Sequence, residues 1–119
     1  MGEAMLFPAV AQPDGTVQLG PLVLRPRTMV RSGPVKVAVR PEAWRIERHA
    51  DGLLPARLDK SAYLGAVHEY TFDTPLGSIF VVSSDLDNVL AVGEQVLLGL
   101  GNHGVSVVGS TEAVLTDAE

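Results

Sequence analysis

The segment from residue 35 to residue 44, Val-Lys-Val-Ala-Val-Arg-Pro-Glu-Ala-Trp, constrains the fold more than any other stretch of this chain. Its three valines alternate with mostly polar residues, which predicts a strand with one apolar side. Pro41 has no backbone N–H, so a central strand cannot continue through it. Trp44 and Ile46 then resume an alternating apolar side. The segment therefore predicts a strand, a corner and a second strand.

Two charged residues flank the proline of this corner. Arg40 and Glu42 are two positions apart, close enough in an extended chain to form an ion pair that would fix the corner. Exposed pairs of this kind contribute only ~0–1 kcal/mol. The other interpretation is a contact between these two side chains and a partner subunit or a second domain. A local ion pair and a partner contact are both consistent with the sequence.

The rest of the chain consists of short apolar segments separated by turn residues. Twelve glycines and eight prolines in 119 residues favour short strands over long helices. We predict a break at Pro8, a bulge or close backbone approach at Gly65, and a hairpin whose turn is the segment 101–104. About nine short strands are predicted from ten apolar segments: 5–11, 16–19, 22–24, 35–40, 44–46, 53–58, 67–73, 79–82, 95–100 and 105–108.

This pattern predicts an all-β protein with little helix. The expected architecture is a small OB-like barrel of five strands with additional short strands, or two very small interleaved barrels that share a core. His68, Tyr70 and Phe72 lie on one side of their strand, and we expect that side to face the core. We assign residues 1–109 to this domain and residues 110–119 to a flexible acidic tail. The longest uncharged run, 95–111, is interrupted by glycines, so no membrane insertion is expected.

Charge is distributed unevenly along the sequence. All nine basic residues lie between 25 and 60, where four acids leave a net charge of +5. The segment 61–119 holds eight acids and no lysine or arginine, which gives −8. The two halves either intermix their charges on one surface or form a basic and an acidic face that meet across a dimer. No nucleic acid is expected as a partner, because the net charge is −5.

Motifs that resemble catalytic or binding signatures do not have the surroundings that such sites need. The segment 99–104 matches G-x-G-x-x-G, but β-branched residues follow it and only fifteen residues remain after Gly104. Lys60-Ser61 follows an acid, Asp59, which would repel phosphate. The imidazoles of His49, His68 and His103 have no metal-ligand spacing, and we expect them to be structural or solvated. No catalytic, cofactor or metal residue is predicted, and the chain does not read as an enzyme.

Several segments together resemble the TOBE domain at the C-terminus of ATP-binding subunits of ABC importers, with the ferric-iron, polyamine and maltose branches nearest. The resemblance spans about residues 2 to 109. Its most specific parts are Val37-Ala38-Val39-Arg40-Pro41-Glu42 and Tyr63-Leu64-Gly65, supported by Gly93-Glu94-Gln95-Val96 and by Gly104-Val105-Ser106-Val107-Val108. The residues singled out as family-motif, structural or interface positions are Arg40, Pro41, Glu42, Tyr63, Leu64 and Gly65.

The resemblance implies a regulatory and dimerisation domain of an importer of the ferric-iron, polyamine or maltose branch, in the cytoplasm beside the inner membrane. It implies a homodimer, and contacts with the subunit's own ATPase domain and with membrane permease subunits. No nucleotide-binding loop is present in these 119 residues. ATP and magnesium would therefore bind to the rest of the parent chain, and no cofactor is expected in this fragment.

Two other functions are open. The first is a module that senses a small solute or an oxyanion, held by backbone N–H groups and by basic side chains from residues 25–60. The second is a nucleic-acid-binding OB barrel, which needs exposed aromatic side chains on a basic face. Exposure of Tyr63, Tyr70 and Phe72 beside Arg45 and Arg57 would favour the second.

Overall fold

The computed structural model describes residues 4–109, which form ten antiparallel strands and one short 3-10 turn. The strands divide equally between two sheets. The first sheet has the order β10-β4-β1-β2-β3, with β1 Met5–Ala11, β2 Val17–Leu19, β3 Leu22–Leu24, β4 Gly33–Val39 and β10 Val105–Gly109. The second has the order β5-β9-β6-β7-β8, with β5 Trp44–Glu47, β6 Leu54–Tyr63, β7 His68–Thr74, β8 Gly77–Ser83 and β9 Gln95–Leu100.

The chain passes from the first sheet to the second at the corner that the sequence predicts. Strand β4 ends at Val39, Pro41–Ala43 form the 3-10 turn, and β5 begins at Trp44 in the other sheet. Pro41 is fully buried in this turn. The corner prediction is confirmed, because proline ends one strand and its fixed φ suits the turn that redirects the chain.

The predicted hairpin between residues 95 and 108 is wrong. Strand β9 belongs to the second sheet and β10 to the first, so the segment 101–104 carries the chain back between sheets. This return lies beside the first crossing and is bound to it. The Arg40 N–H donates to the Gly104 carbonyl over 2.9 Å, and the Gly101 N–H donates to the Ala43 carbonyl over 2.8 Å. Local turn residues indicate a reversal, but they cannot say which sheet the next strand joins.

Strand β1 is continuous through Pro8, where a break was expected. All seven of its residues are in register with β4, whereas β2 pairs only with Val10 and Ala11. Pro8 therefore lies where β1 has a neighbour on one side only. An edge position tolerates a missing backbone donor, which explains why the strand persists.

The β6–β7 hairpin also differs from the prediction in detail. Its bulge lies at Asp59, because the pairing register shifts between Leu58 and Lys60. Gly65 instead occupies the tight turn, with φ of +87° and open space around the position of a Cβ. The Leu64 N–H donates to the Val67 carbonyl over 2.9 Å, which closes a two-residue loop. A glycine with positive φ at the first central position is typical of type II′ turns.

The inner faces of both sheets pack into one hydrophobic core. Tyr70 and Phe72 have exposed fractions of 1% and 0%, so the side of β7 predicted to face the core does so. Phe7 of the first sheet meets Trp44 of the second edge to face, with ring centroids 5.8 Å apart. The all-β prediction is confirmed, and the residues predicted as an acidic tail lie outside the described part of the chain.

Candidate functional site

The two crossings between the sheets form one structure, which we call the crossing corner: residues 40–45 and residues 101–104. Glycine is needed where the crossings touch. A Cβ at position 101 would lie 3.2 Å from the Ala43 carbonyl oxygen, and a Cβ at position 104 would lie 3.1 Å from the Ala43 Cβ. Gly104 also has φ of +83°, a conformation that other residues rarely adopt. The glycines of the G-x-G-x-x-G match therefore serve close packing, and strand β10 follows them.

Three arginines surround the return segment of the crossing corner. The Arg27 Nη2 donates to the Asn102 carbonyl over 2.8 Å. The Arg45 Nε lies 3.3 Å from the position of a Cβ at Gly101, and the Arg40 Cβ lies 3.4 Å from that of Gly104. Within residues 4–109, carboxylates form ion pairs with Arg48 and Arg57 and none pairs with these three arginines. Their positive charge is therefore not neutralised by a carboxylate of the described chain.

Two grooves open on either side of this segment. The second-sheet groove, of about 760 Å³, is bordered by β5 and by the end of β8, which are the two edge strands of that sheet. The first-sheet groove, of about 630 Å³, is bordered in the same way by β3 and β10. Each sheet is therefore so strongly curved that its two edge strands line the same groove. Gly101, Asn102 and His103 line both grooves.

Carboxylates near the second-sheet groove are held in the ionised form. The Asn88 side-chain amide, followed by the Asp87 N–H, donates to Asp85 and lowers the pKa of that carboxyl below its usual value. The Ala91 N–H and then the Arg48 guanidinium lower the pKa of Glu94. Hydrogen bonds to the charged form favour ionisation. The bonds around Asp85 join residues two and three positions apart in the loop after β8.

The predicted site residues fall into two separate groups. Arg40 and Glu42 are exposed in the crossing corner, on either side of buried Pro41. The side chains of Arg40 and Glu42 do not form the expected ion pair with each other. The prediction assumed an extended chain at this point, whereas the structure has a 3-10 turn. Backbone hydrogen bonds, including that from the Ala43 N–H to the Arg40 carbonyl, fix the corner instead.

The other three, Tyr63, Leu64 and Gly65, form the tip of the β6–β7 hairpin and line neither groove. Tyr63 is 63% exposed, unlike the aromatic side chains of β7. Its ring packs on the imidazole of His68, with centroids 5.0 Å apart. The structure does not bring the hairpin tip and the crossing corner into one site.

The histidines have three different surroundings. His49 is exposed in a loop, His68 is buried and stacked on Tyr70 at 5.5 Å, and His103 is exposed between the two grooves. The sequence alone did not identify Asn102 and His103 as groove residues, because the residues that surround them in the structure are distant in the chain.

Residues 4–109 contain no group of three or more metal-ligating side chains placed to hold an ion. Nor does this part of the chain contain a helix that could cross a membrane.

The arginines beside the return segment can bind an anionic group. Arginine presents several N–H donors in a planar fork that matches oxyanions and carboxylates. Arg27 and Arg45 approach the return segment from opposite grooves, next to the exposed imidazole of His103. The first-sheet groove, lined by Arg25 and Arg27, can therefore hold a negative group, whereas Arg45 shares the second-sheet groove with Glu42, Glu47 and Asp85.

Comparisons with known proteins agree with this fold. A protein-family model described as TOBE domain matches residues 37–108. The chain is 32% identical over 113 residues to the Fe(3+) ions import ATP-binding protein FbpC of Agrobacterium fabrum, covering 91% of this chain and 32% of that protein. It is 32% identical over 102 residues to the spermidine/putrescine import ATP-binding protein PotA of Ruegeria pomeroyi, covering 82% of this chain and 26% of that protein. The chain spans about a third of the length of the FbpC relatives it matches.

A solved structure shows the same architecture. The cytoplasmic molybdate-binding protein ModG superposes with a TM-score of 0.69 at 11% sequence identity, covering 92% of this chain and 99% of that one. At this identity the likeness concerns the fold, which is all-β and OB-like. Together with the match of the family model over most of the chain, it leads to one conclusion: the chain belongs to the TOBE domain family.

Proposed function

We propose that this chain is the accessory domain of the ATP-binding subunit of an ABC importer, where it pairs two copies of the subunit and regulates their cycle. The observation that carries this proposal is the TOBE match over residues 37–108, together with relatives named as import ATP-binding proteins. ATP hydrolysis, with its magnesium, belongs to the rest of the subunit. The subunit works at the cytoplasmic face of the membrane against permease subunits. The Fe(3+) names of the FbpC relatives support iron as the cargo.

The physical role of such a domain is to hold two moving partners together. The ATP-binding units must approach and separate in each cycle, and a linked dimer keeps them at high effective concentration while they are apart. The hydrogen bonds of the crossing corner and the shared core tie the two sheets into a single rigid unit. A ligand or partner that binds one arrangement of the pair more tightly shifts the cycle by its differential affinity.

The test is removal of the domain from the full-length subunit, with sedimentation and transport as the two measurements. We expect the variant without residues 4–109 to dimerise more weakly and to support less transport when combined with its permease. A full-length subunit whose dimer fraction and transport are both unchanged by the deletion would contradict the proposal.

A second candidate function is the binding of an oxyanion at the crossing corner. It is favoured by the arginines that surround the return segment without carboxylate partners among the described residues. The structural neighbour ModG is described as molybdate-binding, which supports the same chemistry. Thermal shift with molybdate, sulfate, phosphate, ferric chelates and polyamines tests it, since a ligand at 100 times its Kd adds about 2.7 kcal/mol of stability. Arg27→Gln should reduce the shift, and no shift with any anion would contradict the candidate.

The proposal does not extend to nucleic acid. Of the aromatic side chains that such a surface would need, Tyr70 and Phe72 are buried and only Tyr63 is exposed. Base stacking requires an open ring face on a basic surface. The requirement stated for that function is therefore not met by the described residues.

A further inference from the structure

The first sheet curves strongly but does not close on itself. Its five strands form four antiparallel pairs, and its outer strands β3 and β10 are not paired with each other although both border the first-sheet groove. Because every pair in the sheet is antiparallel, β3 and β10 run in the same direction. A sixth strand that lies between them and runs the opposite way is therefore antiparallel to both, which is the more stable kind of pairing.

The backbone of β10 directs hydrogen-bonding groups into this gap. The Arg40 N–H donates to the Gly104 carbonyl over 2.9 Å, and the ladder between β4 and β10 continues from this pair. Bonded and non-bonded pairs alternate along an antiparallel ladder. The N–H and carbonyl of Ser106 are therefore directed to β4, whereas those of Val105 and Val107 point away from β4, on the side of the groove.

Strand β3 presents the same kind of edge from the other side of the gap. The Gln12 N–H donates to the Thr16 carbonyl over 2.7 Å, which fixes the alternation in the β1–β2 ladder and, through it, in the β2–β3 ladder. The N–H and carbonyl of Val23 consequently point away from β2. None of the outward backbone groups of Val23, Val105 and Val107 has a hydrogen-bond partner within residues 4–109. Strand β10 also lacks the charged residues and prolines that protect many exposed edges.

The first-sheet groove is basic. Arg25 and Arg27 line it, and no carboxylate of the described residues does. The bond from the Arg27 Nη2 to the Asn102 carbonyl holds this guanidinium beside the groove. The second-sheet groove also lies between two edge strands, but three carboxylates line it besides two arginines. The charge therefore favours an acidic occupant in the first groove and not in the second.

We propose that the first-sheet groove binds an extended acidic segment of a partner protein, which adds an antiparallel strand between β3 and β10. The inference rests on the second candidate function and deepens it, because it uses the same groove and names a peptide as the ligand in place of a free oxyanion. In strand addition, main-chain hydrogen bonds supply affinity and alternate side chains supply specificity. The carboxylates of the segment pair with the planar guanidinium groups of Arg25 and Arg27.

The groove sets the length and the pattern of this segment. With a rise of about 3.3 Å per residue, strands about 4.8 Å apart and sheets about 10 Å apart, one strand residue fills roughly 160 Å³. A groove of about 630 Å³ therefore holds about four residues. Val105 and Val107 are half-buried against the core and Ser106 is exposed, so a neighbouring strand alternates in the same way. Apolar side chains of the segment face inward and its acidic side chains face outward.

The test is titration of the 119-residue chain with the end-blocked, fluorescently labelled peptide Glu-Val-Glu-Val-Glu, with polarisation as the measurement. We expect saturable binding that salt weakens, and no binding of Lys-Val-Lys-Val-Lys. Arg27→Gln should weaken binding about tenfold and Arg25→Gln several-fold, because each removes a charged donor. Lys60→Gln is the matched control, since it removes an exposed positive charge from the second sheet and should leave binding unchanged.

A second measurement separates strand addition from attraction between charges. N-methylation of the central glutamate of the peptide removes one backbone donor and leaves all side chains in place, and it should weaken binding about tenfold. Amide hydrogen exchange, followed by NMR, should slow at Val105 and Val107 when the peptide is bound. Exchange at Ser106 should not change, because its N–H already bonds to β4.

The outcomes distinguish the inference from the function on which it rests. Stabilisation by molybdate or sulfate without binding of the acidic peptide would overturn the inference, while the second candidate function stands. Peptide binding that N-methylation does not weaken, with unchanged exchange at Val105 and Val107, would also overturn it. Peptide binding with both backbone effects but no response to free anions would support it and exclude a free oxyanion as the ligand. Binding that appears only after removal of residues 110–119 would show that this segment occupies the groove, which contradicts a partner segment as the occupant.

Discussion

The two sheets have similar inner faces and very different outer faces. Both inner faces are closely packed aliphatic and aromatic surfaces that share one core. The outer face of the first sheet holds one charge, Lys36. The outer face of the second sheet holds six charged side chains on strands β5, β6 and β7, namely Arg45, Glu47, Arg57, Lys60, Glu69 and Asp73. The outer face of the second sheet is therefore charged, whereas that of the first is mostly apolar.

This difference separates residues that stabilise the fold from residues that do not. Inward residues of both sheets are required for the chain to fold, since burial of apolar area is the dominant stabilising contribution. Outward residues contribute little to folding, because they remain largely exposed in the folded chain. The comparison predicts that substitutions on inner faces change stability and that substitutions on outer faces leave it nearly unchanged.

The largest expected effect distinguishes the two sides of one strand. Phe72→Ala removes a side chain that is 0% exposed and should lower the free energy of unfolding by about 3–5 kcal/mol. Thr71→Ala, one residue earlier and on the outer side, should change it by only about 0.5 kcal/mol. Urea denaturation measures both. Similar losses for the two variants would mean that the outer side of the second sheet is not solvated as described.

The next effect tests how the sheets are joined. Gly104→Ala places a Cβ 3.1 Å from the Ala43 Cβ at a position with φ of +83°, and should cost more than about 1 kcal/mol. Gly15→Ala is the matched control, with φ of +93° and nothing within 4 Å of the new atom. Both variants have the backbone cost and only the first has the steric cost. Equal unfolding free energies would show that close packing at the crossing corner is unimportant.

A smaller effect is expected on the charged outer face. Arg57 and Asp73 approach to 3.8 Å with both side chains more than half exposed. Such pairs contribute about 0–1 kcal/mol and are screened by salt. A double-mutant cycle of Arg57→Ala and Asp73→Ala should therefore give a small coupling energy that disappears in 1 M salt. A coupling above about 2 kcal/mol would indicate that this face is covered in the folded chain.

The smallest effect concerns pH. Hydrogen bonds from the Ala91 N–H and from Arg48 depress the pKa of Glu94 in the folded chain. The resulting stability is present above the unfolded pKa and is lost as pH falls through the folded pKa. Thermal melting from pH 7 to pH 3 should show a decrease that Glu94→Gln makes shallower. A variant with the same pH dependence as the wild-type chain would show that Glu94 contributes nothing to it.

Much of the fold could be predicted from local sequence. Alternation of apolar residues located the strands, and Pro41 located the first crossing, because both signals act within a few residues. The second crossing was missed, since a glycine-rich turn such as 101–104 looks the same whether its strands pair with each other or with distant strands. The bulge at Asp59 has no distinctive residue type either.

The candidate site was less predictable. The sequence identified Arg40 and Glu42 as candidate residues. The position of Arg27 beside them could not be predicted, because it depends on a contact with Asn102, 75 positions away in the chain. Hairpin-tip residue Tyr63 alternates in the same way as a core residue, and only the geometry of the turn exposes it. The apolar outer face did leave a signal, because 5–11 is apolar at both odd and even positions.

The contrast between the two sheets can be measured directly, because the chain contains no cysteine. Ser106→Cys places a single thiol on the outer face of the first sheet, and Thr71→Cys places one on the outer face of the second. Maleimide labelling rates are then compared over a range of concentrations of the Glu-Val-Glu-Val-Glu peptide. The account predicts that labelling at position 106, which lines the first-sheet groove, slows as the peptide concentration rises, while labelling at position 71 does not. Rates that the peptide leaves unchanged at both positions would contradict it.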